Sequence, residues 1–260
     1  MINKFLAGVF LLFSAFAMAQ QSSYSPYSYY GLGEQRSKGT AEYRAMGGVS
    51  VFADSIHMNL QNPASFSAMK LTTFTAGGTA TWADLETEQG TQNARRTMLD
   101  YLAVGLPFKK GGIAFGLMPY TSTGYKIVNY GQLDSGEATT RYYEGSGGTN
   151  RVFAGAGYEI TKNFRLGVSF NYNFGKVNTL SRQQVATVQY GTLETENSEL
   201  SGFSMDAGLM YEGKIGKELR LYGSLAYTPE TNMKVENTRY LSLVEPVGEG
   251  YSVIQQDTLS

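Results

Sequence analysis

The chain has 260 residues, a formal net charge of -1, no cysteine, 31 glycines, 19 tyrosines and 14 phenylalanines. A near-neutral charge argues against a nucleic-acid binder, and the lack of thiols excludes a disulfide framework, a thiolate metal site and a cysteine nucleophile. The length suits one or two soluble domains or a single large all-β barrel.

The first stretch, MINKFLAGVFLLFSAFAMAQQ, carries Lys4, an apolar run from Phe5 to Phe16, and then Ala17-Met18-Ala19. A charged start, a short apolar run and a small-x-small site mark a secretory signal peptide. Residues 1–19 therefore read as a leader cut after Ala19, with export by the general secretory route. The run is too short to cross a bilayer, and no cysteine follows the cut to carry an acyl anchor. After Gln20 no stretch approaches the ~20 apolar residues that a spanning helix needs.

Residues 20–69 are glycine-rich and irregular, with a short helix expected near Ser55 to Gln61. Met46, Val49, Val51, Phe52, Leu60 and Phe66 favour packing over a free tail, so the segment reads as a hatch or plug. His57, the only histidine, has no serine marked out to partner it and reads as a plug or surface residue.

From Leu71 onward the pattern changes to period two. Leu71 to Trp82 is a strand of poor alternation, followed by strands over 99–108, 112–120, 151–160, 164–175, 202–212 and 219–228. In FRLGVSFNYNFG, Phe164, Leu166, Val168, Phe170, Tyr172 and Phe174 share one face, against Arg165, Gly167, Ser169, Asn171, Asn173 and Gly175. Tight turns are expected at 109–112, 161–163 and 216–218, and long polar loops at 84–97, 129–149 and 176–200. Short turns alternating with long loops, and aromatics at strand ends (Phe108, Tyr158, Phe174, Tyr211, Tyr227), are features of a transmembrane barrel. The fold expected is all-β, an antiparallel transmembrane β-barrel over residues 70–260 with the N-terminal plug over 20–69. The apolar face would meet lipid, and Arg165, Asn171, Asp206, Glu212 and Arg220 would line a polar interior.

SPYSYYGLGE, YRAMGGVSVF and NLQNPASF, with the triplet Asn62-Pro63-Ala64 just before the first strand, resemble the N-terminal hatch of the FadL/TodX family in its Bacteroidetes-type version. The likeness runs on to LRLYGSLAYTPETNMKV at 219–235. It implies a 14-stranded outer-membrane barrel that takes up long-chain fatty acids or aromatic hydrocarbons passively and releases them sideways, with Asn62, Pro63 and Ala64 in the moving hatch. It also implies a kinked third strand as lateral gate, for which Pro119, Tyr120 and Gly124 are the candidates. Seven strands and the start of an eighth at GYSVIQQDTLS amount to about half of such a barrel, so the sequence reads as a fragment.

No catalytic role is expected, and no cofactor or metal. AGAGYE, residues 154–159, lacks the third glycine of a dinucleotide loop, so its glycines read as small inward-facing residues. The acidic groups Glu86/Glu88 and Glu194/Glu196/Glu199 suit solvated loop charge better than cations bridging lipopolysaccharide. The expected partners are outer-membrane lipids, lipopolysaccharide and a hydrophobic small molecule, with Tyr101, Phe153 and Tyr222 as candidate ligand contacts. A second reading makes the chain an accessory or shuttle protein of a Bacteroidetes secretion system. The interior separates the two: apolar and open for a channel, packed and polar for an accessory protein.

Overall fold

The computed structural model describes residues 25–87, 90–216, 218–248 and 250–259; the expected leader lies outside them. Among the described residues ten strands form one antiparallel sheet: β1 (Glu34–Gln35), β2 (Thr73–Thr87), β3 (Gly90–Phe108), β4 (Gly111–Gln132), β5 (Ala138–Glu159), β6 (Phe164–Val185), β7 (Gly191–Ile215), β8 (Leu219–Tyr227), β9 (Lys234–Val247) and β10 (Gly250–Leu259). The ladder runs β10-β9-β7-β6-β5-β4-β3-β2, with β1 on β4 and β8 on β7. Among the described residues no pairing joins β2 to β10. Both β8 and β9 lie along β7, at Ala207–Ile215 and Gly191–Ser201 respectively, so together they form one strand interrupted at residues 228–233. No helix among the described residues is long and apolar enough to cross a membrane.

The sheet has inverted polarity. Phe164, Leu166, Phe170 and Tyr172 are exposed, Phe170 at 63%, while Ser169, Asn171 and Asn173 on the opposite face are 5%, 3% and 2% exposed. The same division holds on β5, where Val152 and Tyr158 are exposed and Arg151 and Phe153 are buried. The buried face is covered by the N-terminal segment. Met58, Leu60, Phe66 and Met69 from that segment close on Tyr101, Ala103, Ala114, Met118 and Phe153 to form the hydrophobic core.

Two sequence expectations are corrected here. The stretches read as long loops are strand: β4, β5 and β6 have 22 residues each and β7 has 25, and the loops shrink to 133–137 and 186–190. In KVNTLSRQQV, residues 176–185, neither face is consistently apolar, so period two leaves no polarity contrast even though every backbone group can join the ladder. The helix expected near Ser55 to Gln61 is absent as well. Asp54 accepts from the Ile56 N–H at 3.1 Å and Asn59 accepts from the Gln61 N–H at 2.9 Å, local bonds that compete with a helix. The helical pieces among the described residues are Ala41–Ala45 and two 3₁₀ segments, Pro26–Tyr29 and Pro63–Ala68.

Candidate functional site

The N-terminal segment meets the sheet most closely at Asn62-Pro63-Ala64. Asn62 caps the 3₁₀ segment, its Oδ1 accepting from the Ala64 N–H at 2.9 Å, and Pro63 takes the first helical position, where no N–H is needed. The Asn62 amide donates to the Leu209 carbonyl at 3.2 Å, to Ser224 Oγ at 2.9 Å and to the Leu225 carbonyl at 3.1 Å. One buried side chain thus ties the segment to β7 and β8. Glycine makes the approach feasible: a Cβ on Gly167 would lie 2.2 Å from the Pro63 carbonyl carbon, and one on Gly208 would lie 1.9 Å from Asn62 Oδ1.

Above this anchor a charged network crosses the buried face. Lys38 Nζ donates to Asp206 Oδ1 at 2.9 Å, Thr228 to the same oxygen at 2.5 Å, and Asn171 to Asp206 Oδ2 at 3.0 Å. Arg151, 2% exposed, lies 3.9 Å from Asp206, donates from Nε to Asn173 Oδ1 at 2.7 Å and stacks 4.1 Å over the Tyr120 ring. Burial pushes the Lys38 ammonium below its ordinary value, and Asp206 only partly offsets this. Nearer the tight turns, Arg165 and Arg220 flank Glu212 at 3.2 and 3.5 Å.

The wall of the sheet parts between β3 and β4. Their pairing ends at Leu102–Leu117, and beyond it β3 pairs with β2 alone while β4 continues on β5. The register of β4 on β5 shifts between Pro119 and Thr121, leaving Tyr120 as a bulge. Into the parting comes the N-terminal segment. On the β4 side, β1 pairs Glu34 with Ser122 and Gln35 with Thr121. Ser25 N–H donates to the Gly124 carbonyl at 2.8 Å, and Arg36 N–H to the Tyr120 carbonyl at 2.9 Å. On the β3 side, Arg44 reaches Asp100 at 2.7 Å and Thr79 at 3.1 Å, and the Ala41 N–H donates to the Tyr101 hydroxyl at 3.0 Å. The segment is a wedge, bonded on both sides.

A crease crosses the sheet at the level of this wedge. Gly147 and Gly148 sit in mid-strand with φ of 116° and 143°, a region that other residues rarely adopt. Thr149 next to them pairs with Thr121 and Gly175, Gly175 with Leu200, and Leu200 with Val235 beside the interruption at 228–233. Along the crease runs a groove of about 840 Å³ whose lining includes Phe174, Lys176 and Asn178, alternate residues on the exposed-face side.

The residues singled out from the sequence fall into two groups. Asn62, Pro63 and Ala64 belong to the N-terminal segment itself, and Tyr101 and Phe153, 3% and 4% exposed, are packed in the core that this segment covers. Pro119, Tyr120 and Gly124 line the parting, which the wedge fills. Tyr222, on β8, is 37% exposed and apart from both. His57 lies at the surface, bonded to Asp54. Of the acidic clusters, Glu194 pairs with Arg239 and Glu199 with Lys176, Glu88 lies outside the described residues, and no metal-holding cluster occurs among the described residues. Sequence reasoning missed Lys38, Arg44, Asp100 and Arg151. Only Arg151 carried a signal, a cation in phase with the inward-facing Phe153.

A family model described as BamG, a family associated with the Bam complex, matches residues 1–259. No curated protein and no solved structure matches the chain. The match overturns the resemblance to the FadL/TodX family, and with it the fatty-acid or hydrocarbon channel and its lateral gate. The marks that carried the resemblance have a packing role here: Asn62 and Pro63 shape and anchor a 3₁₀ segment on the sheet.

Proposed function

The chain belongs to the BamG family, and on that premise we propose that it is a non-catalytic accessory subunit of the machinery that assembles outer-membrane proteins. The observation that carries this is the inverted sheet with its packed interior. The exposed apolar face suits lipid, whereas the opposite face, a charged and polar network beside an apolar core, is buried and packed against the N-terminal segment. A conduit for hydrophobic molecules needs an open, apolar interior. An accessory protein needs a membrane seat and a rigid body, and the accessory alternative agrees with the family better than the channel does.

In this reading the sheet is wall of a transmembrane barrel, exported by the leader at residues 1–19 and plugged by the segment that follows. The apolar band, 164–174 on β6, matches the ~9–11 residues that a tilted strand needs to cross. At ~3.3 Å per residue a strand the length of β6 spans about 70 Å, so its far half stands clear of the bilayer. That half is the contact surface for other subunits.

The test is affinity purification of the tagged, full-length chain from outer membranes in mild detergent, with its depletion in parallel. Recovery of the assembly machine's subunits in fixed ratio, and loss of newly inserted barrel proteins on depletion, is the expected result. A chain recovered alone, whose depletion leaves barrel insertion unchanged, overturns it.

A further inference from the structure

We infer that the edge of β4 from Lys126 to Tyr130 is a docking edge for an extended polypeptide, which would add a strand beside the wedge. The partner class rests on the accessory reading above; the edge itself rests on the ladder. Gly124 directs both its backbone groups into the parting: its carbonyl accepts from Ser25 N–H at 2.8 Å and its N–H donates to Ser28 Oγ at 3.0 Å. In an antiparallel strand a residue's N–H and C=O point to one side, and the sides alternate. Lys126, Val128 and Tyr130 therefore point the same way as Gly124. Among the described residues β4 beyond Tyr125 pairs only with β5, so these groups meet no strand on the open side.

Sheet edges are ordinarily blunted by proline, bulges, lysines or inward charges. The run KIVNY, residues 126–130, has no proline and no bulge, one lysine, and three strong strand formers in Ile127, Val128 and Tyr130. The edge already accepts an added strand lower down, where β1 pairs at Thr121 and Ser122, so an incoming segment would continue a pairing in place. The rim suits a protein partner. Tyr29 lies 5.3, 5.1 and 5.9 Å from the rings of Tyr30, Tyr125 and Tyr143, and Tyr27 and Tyr30 are 85% and 76% exposed. Tyrosine is enriched in protein interfaces, and unpaired backbone groups call for a backbone partner, which a lipid cannot supply.

Hydrogen exchange on the full-length chain in detergent tests this, with the soluble peptide KVNTLSRQQV (a copy of strand residues 176–185) as probe. Amides of residues 126–130 that point into the parting should exchange fast in the chain alone and at least tenfold more slowly with excess peptide. Val128→Pro removes one edge N–H while leaving the pairing with β5 intact, so it should keep the fold and abolish the slowing. Fast exchange unchanged by peptide, slowing that persists in Val128→Pro, or slow exchange in the chain alone would each overturn the inference. Repeating the measurement on the chain co-purified with the assembly machine separates the two proposals. Co-purification without slowing at 126–130 overturns this inference and leaves the accessory role. Slowing by peptide in a chain that never co-purifies upholds the edge and overturns the accessory role.

Discussion

Lys38 Nζ and Asp206 Oδ1, 2.9 Å apart and separated by 168 residues, join the N-terminal wedge to the inner face of β7. The pair is mostly buried, with 23% of the Lys38 and 12% of the Asp206 side chain exposed, and removing one member leaves the other charge uncompensated, at up to about 3–5 kcal/mol. The two ends are not equivalent. Lys38→Met leaves Asp206 with Thr228, Asn171 and Arg151, whereas Asp206→Ala strands both Lys38 and Arg151. Asp206→Ala should therefore destabilise more than Lys38→Met, read as the temperature at which the folded band is lost on unheated-versus-heated gels. Equal effects would mean that Asp206 is not the centre of the network.

Gly167→Ala should lift the N-terminal segment off the sheet. The added methyl meets the Pro63 backbone, which cannot step aside as a side-chain tip could. Overpacking of this kind costs about 1–3 kcal/mol. Limited proteolysis should cut between residues 37 and 70 faster in the variant than in the parent chain. Cleavage at the parental rate would refute the close approach.

On the opposite face, Phe170→Lys should block membrane insertion. A lysine on a lipid-facing strand position near the midplane costs about 2–4 kcal/mol, and Phe170 is 63% exposed at the centre of the apolar band. The readout is the fraction of chain resisting urea extraction from membranes. Asn171→Ala, one residue along and facing inward, should stay membrane-bound while losing bonds to Ser204 and Asp206. If the lysine variant inserts as well as the parent, the face does not meet lipid.

The single histidine reports on the segment's surface turn. The bond to Asp54 raises the His57 pKa above 6.5, and Asp54 lies below its ordinary 3.8, since the bonds from His57 and the Ile56 N–H outweigh its burial. The stabilisation from His57 is fully present below pH 6.5 and is lost as pH rises through the raised value; that from Asp54 is present above 3.8 and lost as pH falls through its lowered value. His57 is exposed and Asp54 only half-buried, so the effect is small and local. An NMR titration of the imidazole should give a midpoint above 6.5 that Asp54→Asn returns toward 6.5. An unchanged midpoint in Asp54→Asn would exclude the pair in solution.

What the sequence disclosed follows from polarity contrast. Phe164 to Phe174 could be placed, face and all, because one side is apolar and the other is not. Residues 176–185 lack that contrast, and the strand there escaped notice although it pairs with β5 throughout and with β7 as far as Gln183. Asn62-Pro63-Ala64 was visible as a local motif, but its anchorage on Leu209 and Leu225 was not, and neither was the Lys38–Asp206 pair. Contacts across such separations leave no trace in one chain's local pattern. The same locality explains the mistaken family: a short motif that shapes a 3₁₀ segment says little about what the whole chain does.

The parting between β3 and β4 has a mechanical meaning. These strands share seven residue pairs, against twenty-one between β4 and β5. The molecule is thus a stiff leaf of β4 to β10 and a narrow leaf of β2 and β3, hinged at the tight-turn end and braced further up by a strap of its own chain. Its compliance is concentrated at one line, and the angle between the leaves is fixed by the few bonds that Ser25, Arg36 and Arg44 make across it.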